Sequence, residues 1–183
     1  MKKNILIGAG VIVLIFIIWV IYGLFIATPV SPPSTTTYNE GGLEITVDYS
    51  QPSKKGRLIF GKEEDDALQP YGQYWRLGAN AATEISFNKD VVFGGKPVKA
   101  GIYRMYAVPG PDVFKVTLNS EVDVFFGVAE PDHERDVLTV NAPVEQNSTI
   151  VETFTIAIES SGPGAVINFK WDDVTFTIPV ALQ

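Results

Sequence analysis

The chain contains no cysteine and only one histidine, His133, among its 183 residues. Without a thiol it cannot form a disulfide, a zinc–thiolate centre, a lipid attachment at a leader cysteine or a cysteine nucleophile. A single histidine in the polar segment EPDHERD does not supply a histidine-rich metal site, and a Ser-His-Asp triad is hard to build around it. We therefore expect no cofactor and no metal, and the residue types lean away from an enzyme.

Nucleotide and nucleic-acid signatures are also missing. The sequence has no Walker motif, no dinucleotide fingerprint and no G-x-S-x-G motif. Basic residues are scarce: residues 40–183 contain 12 lysines and arginines against 21 acidic residues, a net charge of −9. Binding to nucleic acid depends on neutralising phosphates, so this balance excludes nucleic acid as a partner.

One uncharged hydrophobic run stands near the N-terminus, at residues 5–27. As a helix of about 1.5 Å per residue it would extend about 35 Å, enough to cross a hydrocarbon core of about 30 Å. Lys2 and Lys3 precede the run, and the next basic residue is Lys54. The positive-inside rule then predicts a cytoplasmic segment at residues 1–4 and a C-terminal domain in the periplasm or outside the cell.

A cleaved signal peptide is the alternative to an anchor. Signal peptides have apolar regions of about 7–15 residues and end in small residues, whereas this run is longer and its exit, LFIATPV, places Phe25 two positions before Ala27. The pattern favours an uncleaved anchor. Residues 28–41 follow, rich in Pro, Ser and Thr, and predict an extended stalk before a folded domain at residues 42–183.

Within the folded domain the dominant period is two. LEITVDYS alternates apolar and polar residues from Leu43 onward, as expected for a strand with one buried face. Comparable segments are TEISF, GIYRMYAV, VFKVTLN, VETFTIAIES, AVINFKW and VTFTIPVAL, separated by Gly- and Pro-rich turn signals. The spacing predicts a mainly β domain, either an antiparallel β-sandwich or a partly closed barrel.

Three segments carry a family resemblance: DYSQPSKKGRLIFG (residues 48–61), PYGQYWRLGANAATEISFNKDV (residues 70–91) and GGKPVKAGIYRMYAVPG (residues 94–110). In this order and spacing they resemble the family catalogued as domain of unknown function number 2911, frequent in Bacteroidetes and related bacteria. The resemblance covers residues 43–180. It implies a predominantly β, exported or envelope-associated domain with no established activity.

The sequence departs from the family pattern in three places. Ala81 stands where family members usually have an acidic residue after GAN. The residues directly before the second segment are the acidic KEEDDALQ. A tryptophan-glycine expected after the central strands is replaced by FFG, residues 125–127. The substituted acid favours binding or structure over catalysis.

Residues 70–80, PYGQYWRLGAN, are dense in aromatic and hydrogen-bonding side chains. One interpretation is a platform for a sugar ring or an extended peptide, because aromatic faces stack and amide and guanidinium groups donate directional hydrogen bonds. The other is a corner of the core, with Trp75 buried and Arg76 paired with an acid such as Glu84. The candidate ligand-binding residues, called the platform below, are Tyr49, Gln51, Arg57, Tyr71, Gln73, Trp75, Arg76 and Asn80.

Two acidic segments are candidates for metal ligands or catalytic groups. EEDD, residues 63–66, lacks the alternating spacing and the glycine of a calcium loop, so a solvated charge run is the favoured interpretation. WDD, residues 171–173, predicts a turn between the last two strands, with aspartates bonding nearby backbone N–H groups.

Three functions remain open from the sequence. The favoured one is a membrane-anchored binding or interaction module, with a carbohydrate, a peptide or an envelope protein as its partner. The alternatives are an envelope hydrolase that acts on a sugar or peptide through carboxylates, and a structural partner in a membrane assembly.

Overall fold

The computed structural model describes residues 2–25, 30–124 and 127–183. The chain divides into two compact units, Met1–Val30 and Ser31–Gln183. Three predicted features fall partly outside the described residues: the end of the hydrophobic run at Ala27, the first two positions of the stalk, and Phe125 and Phe126 of the FFG motif.

The first unit contains one helix, α1, at Lys2–Phe25. Leucine favours the helix, and no proline interrupts it before Pro29. Its side chains from Val11 to Trp19 are exposed. In the part of the chain that the structure describes, no helix combines the length and the apolarity that identify a membrane span.

The second unit is mainly β, as predicted, with two short 3-10 turns at Glu63–Asp65 and His133–Arg135. Its strands are β1 (Pro33–Glu40), β2 (Leu43–Ser50), β3 (Phe60–Gly61), β4 (Gln69–Pro70), β5 (Thr83–Phe87), β6 (Val91–Phe93), β7 (Lys96–Val98), β8 (Gly101–Val108), β9 (Val113–Asn119), β10 (Asp136–Ser161) and β11 (Gly164–Leu182).

Nine of these strands form a single antiparallel sheet in the order β1-β2-β5-β8-β9-β10-β11-β6-β7. The two remaining strands, β3 and β4, form a short parallel pair. Among the described residues β1 and β7 lie at opposite edges, so this sheet does not close into a barrel.

The predicted stalk at residues 28–41 needs correction, because Pro33–Glu40 forms β1. This strand pairs along its whole length with β2, from Pro33 opposite Ser50 to Glu40 opposite Leu43. Its threonines favour extended backbone, and the Tyr38 hydroxyl donates a hydrogen bond to the Gly164 carbonyl at 3.1 Å. The Pro-, Ser- and Thr-rich composition predicted a segment that buries too little to become ordered. An edge strand, however, is ordered by pairing with a single neighbouring strand, here β2.

The predicted WDD turn is also corrected, because Trp171, Asp172 and Asp173 lie inside β11. Asp172 has a φ of 58°, in the left-handed region, and the pairing of β10 with β11 shifts register on both sides of it. Beyond this bulge the two halves of β11 come into contact, since Phe169 and Phe176 stack with ring centroids 4.6 Å apart. Bulges bend strands in this way.

The bend places the part of the β10–β11 hairpin that contains Phe154 and Ile156 against β2. The Tyr49 hydroxyl on β2 donates to the Ile156 carbonyl on β10 at 3.3 Å and accepts from the Ile156 N–H at 3.1 Å. The Tyr49 ring meets Phe154 edge-on with centroids 5.7 Å apart. The sheet therefore encloses a core between its own parts.

Candidate functional site

Trp75 belongs to the core and not to a surface. Its side chain is 2% exposed, and its ring contacts those of Phe154, Phe60 and Trp171 at centroid distances of 5.1, 5.2 and 6.0 Å. Its backbone forms two hydrogen bonds of 2.8 Å with Ala107. This burial agrees with the core-corner interpretation of residues 70–80.

Arg76 and Asn80 form a local turn. Arg76 donates to the Asn80 carbonyl at 3.2 Å, and Asn80, at a φ of 59°, donates from its side chain to the Ser31 carbonyl at 3.0 Å. Glu84, the partner expected for Arg76, instead accepts a 2.6 Å hydrogen bond from the Asp123 N–H. The arginine is half-buried rather than an inward-pointing core cation.

The other platform residues are dispersed. Gln51 donates to the hydroxyl of buried Tyr49 at 3.2 Å, and Arg57 folds back onto the carbonyls of Lys54 and Ser53 at 2.9 and 2.6 Å. Gln73 is exposed. The eight platform residues thus do not form one continuous surface, and among them Tyr71 alone lines the pocket described next.

A pocket of about 240 Å³ lies where β11 bends. We call it the Lys54 pocket; the side chains that give it chemical character are Lys54, Phe60, Tyr71, Gln146, Asp172 and Asp173. Gly110 and Pro111 complete one wall. All three segments that carry the family resemblance therefore reach this pocket, together with the WDD segment.

Backbone hydrogen bonds hold the pocket's loops in place. The Lys54 N–H donates to the Glu152 carbonyl at 2.7 Å, which ties the first segment to β10. The Tyr71 N–H donates to the Gly61 carbonyl at 2.8 Å, and the Gly72 N–H donates to the Pro109 carbonyl at 2.8 Å. The pocket is thus built from loops that are fixed to rigid strands.

An ion pair forms one side of the pocket. The Lys54 ammonium donates to the Asp172 carboxylate and, at 2.7 Å, to the Arg57 carbonyl. The two charged side chains are 19% and 7% exposed. Desolvating either charge alone would cost several kcal/mol, so each charge is stabilised in this position by its partner.

Tyr71 lines the pocket as a neutral phenol. Burial raises the pKa of Tyr71, and the negative charges of Asp173 and Asp112 raise it further. At neutral pH the hydroxyl therefore keeps its proton and is available as a hydrogen-bond donor or acceptor.

A second polar cluster, which the sequence did not single out, covers the outer face of β8. Arg104 is 2% exposed and donates to Glu121 at 2.9 Å and to the Tyr74 hydroxyl and the Ala129 carbonyl, both at 2.7 Å. In GIYRMYAV, aromatic and apolar residues stand on both sides of the alternation, as expected for a strand that is covered on both faces.

His133 belongs to this cluster rather than to bulk solvent alone. Its Nδ1 lies 3.1 Å from the Tyr106 hydroxyl and 3.2 Å from Asp136 Oδ2, and its Nε2 lies 3.2 Å from Glu130 Oε2. Hydrogen bonds to Glu130 and Asp136 raise the pKa of His133. Burial and the hydrogen bond to Asp136 raise the pKa of Tyr106. The cluster fastens the loop after β9 to the sheet.

A wider groove of about 370 Å³ runs beside β1 and β2. Tyr49, Ala81, Asp48, Glu84 and Asp123 are among its lining residues. Asp48 and Glu84 already accept hydrogen bonds from the Thr35 hydroxyl and the Asp123 N–H. The groove is more open than the Lys54 pocket, and none of the described residues that line it carries a positive charge, so it offers a ligand fewer complementary groups.

The acidic segment at residues 63–66 is exposed. Within residues 2–25, 30–124 and 127–183, no three His, Cys, Asp or Glu side chains are grouped as a metal site requires.

Comparison with known proteins gives one match. A family model described as "Protein of unknown function (DUF2911)" matches residues 31–180. The chain matches no curated protein, and it matches no solved structure.

Proposed function

The chain belongs to the DUF2911 family, and from that premise we propose that it is a membrane-anchored, extracytoplasmic β domain that binds a small polar ligand in the Lys54 pocket. The family has no assigned activity, so the proposal depends on the site's geometry. The observation that carries it is the meeting of three distant chain segments, with a lysine, a tyrosine and two aspartates, around one cavity of about 240 Å³.

The pocket's composition supports binding. Ligand sites combine apolar walls with a few oriented polar groups, and here Phe60 and Phe114 supply walls while Tyr71, Gln146 and Asp173 supply polar groups. Aromatic faces beside hydroxyl and carboxylate groups suit a sugar or a short peptide.

Catalysis is less well supported. The Lys54 charge is engaged by Asp172, and the Tyr71 pKa is shifted away from neutrality. General acid–base catalysis works best with a pKa near the working pH, and the raised pKa of Tyr71 lies away from it.

The anchor is proposed from helix α1. It is 24 residues long, carries no charge after Lys3, and exposes its apolar side chains between Val11 and Trp19. Lys2 and Lys3 at its start favour a cytoplasmic N-terminus. The pocket would then face the periplasm or the exterior, where a net charge of −9 on residues 40–183 helps to keep the domain soluble.

Binding is tested with a panel of sugars and short peptides on the full-length chain in an uncharged detergent, read out by ligand-observed NMR. Tyr71→Ala should abolish binding while the chain remains folded, because it removes one wall and one hydroxyl of the pocket. Arg76→Ala is the matched control, since Arg76 is a platform residue outside the pocket and should leave binding unchanged.

Loss of binding in Arg76→Ala but not in Tyr71→Ala would place the site at Arg76, outside the Lys54 pocket. Absence of binding to every compound in the panel would contradict the proposal.

A further inference from the structure

The charges of the Lys54 pocket do not balance. Lys54 and Asp172 neutralise each other, while Asp173 also lines the pocket and is half-buried. No ion pair found in the described part of the chain includes Asp173. One carboxylate is therefore left without a cation in a partly enclosed site.

The excess negative charge acts across the pocket. Burial is the largest cause of the raised pKa of Tyr71, and the carboxylates of Asp173 and Asp112 add to it by disfavouring ionisation of the phenol. Lys54 does not cancel this effect, because its ammonium is directed at Asp172 and the Arg57 carbonyl.

The bend in β11 places the two aspartates in the same cavity. Successive residues of a regular strand point to opposite faces, so Asp172 and Asp173 would ordinarily be separated by the sheet. Because Asp172 adopts a φ of 58° at a register shift, both residues line the pocket. A non-glycine residue in the left-handed region is strained, and such positions cluster at ligand sites.

Aromatic side chains line the same pocket as the unpaired carboxylate. Phe60 and Tyr71 line the same pocket, and an ammonium group near an aromatic face is attracted by the negative charge density of the ring. A carboxylate beside aromatic faces is the combination that recognises a protonated amine, with Gln146 and the Tyr71 hydroxyl available for neighbouring polar groups.

We infer, building on the proposed function, that the Lys54 pocket selects ligands that carry a protonated primary amine, with Asp173 as the residue that binds it. Two sources share this chemistry, an amino sugar and the free amino terminus of a peptide. The domain's surplus of acidic residues would assist the approach of either cation.

The test uses matched pairs of probes that differ in one charge. Glucosamine is compared with N-acetylglucosamine, and glycylglycine with its N-acetylated form, by titration calorimetry on the full-length chain in an uncharged detergent. The measurements are made at about pH 6, where the α-amino group of a peptide is protonated. In at least one pair the amine should bind about three- to tenfold more tightly than the acetylated form.

Two variants then test whether Asp173 is responsible for the preference for the amine probes. Asp173→Asn keeps the side chain's shape but removes its charge, and should abolish the preference while urea unfolding stays cooperative. Asp65→Asn removes an exposed acidic charge outside the pocket and should keep the preference. The pair that shows the preference identifies the source of the amine.

Three outcomes would overturn the inference, and they differ in what they leave standing. Equal affinity for amine and acetylated probes refutes amine selection but leaves ligand binding in the pocket intact. A preference that persists in Asp173→Asn refutes the role of Asp173. If no probe binds and the wider panel also fails, both the inference and the proposed function fall.

Discussion

At the residue scale, Trp75 decides between the two interpretations of residues 70–80. The side chain is enclosed by the rings of Phe60, Phe114, Phe154 and Trp171, so it cannot also present a face to a ligand. Its indole N–H is buried and finds no hydrogen-bond partner among the described residues. A buried N–H without a hydrogen-bond partner lowers the stability of the folded state, and the packing of the large indole ring offsets this cost.

We expect Trp75→Ala to lower the free energy of unfolding by about 3–5 kcal/mol, because it removes a large buried side chain and leaves a cavity. Urea unfolding of the full-length chain measures this loss. Gln73→Ala, two residues away and exposed, should change stability by less than about 0.5 kcal/mol. A loss for Trp75→Ala as small as the control's would show that the ring is not part of the core.

His133 provides a pH-dependent prediction. Its pKa is raised by hydrogen bonds to Glu130 and Asp136, so the folded state favours the imidazolium. A raised pKa contributes stability that is fully present below the unfolded-state pKa of about 6.5 and is lost as the pH rises through the folded-state pKa.

Wild type should therefore exceed His133→Gln in unfolding free energy below about pH 6.5, and the difference should shrink as the pH rises past the folded-state pKa. Parallel denaturant titrations across this range measure it. The side chain is 57% exposed, so solvent screens the effect and it should be small. A difference that is constant with pH would mean that the imidazolium is not the stabilising form.

At the element scale, the bend in β11 organises both the core and the pocket. The strand's two halves contact each other through Phe169 and Phe176, and the left-handed Asp172 lies between them. The start of the strand also lies against its end, since a Cβ added to Gly164 would lie 2.2 Å from the Val180 carbonyl oxygen. The glycine thus permits a close backbone approach.

Gly164→Ala should destabilise the chain by about 1–3 kcal/mol, because the added methyl group meets a backbone atom that has little freedom to move. Ser161→Ala, at an exposed position of the same hairpin, should be nearly neutral. Thermal unfolding of the two variants compares them directly. Equal melting temperatures would argue against the close contact between Gly164 and Val180.

At the scale of the whole molecule, the proposal joins an apolar helix to an acidic β domain. Replacing Leu14 and Ile17 with arginine should release the chain from the membrane fraction, since each arginine near the centre of a span costs about 2.5–3.5 kcal/mol on insertion scales. Replacing both residues with alanine is the matched control and should leave the chain in the membrane pellet after an alkaline wash. If the wild-type chain is found in the supernatant after the alkaline wash, the proposed anchor is contradicted.

The sequence by itself determined the β class, because alternation in segments such as LEITVDYS reports which face of a strand is buried, and this is a local property. It also identified the family, which the match over residues 31–180 confirms. The anchor and the envelope location, which derive from residues 5–27, remain predictions.

Only the tertiary structure decided which remote residues share the Lys54 pocket. Lys54 and Asp172 are 118 positions apart, and no local pattern records that they form an ion pair. The pairing of β1 with β2 and the bend at Asp172 likewise depend on the register between strands, which a local sequence pattern does not record. Periodicity is set by near neighbours along the chain, whereas a pocket is set by which remote segments the fold brings together.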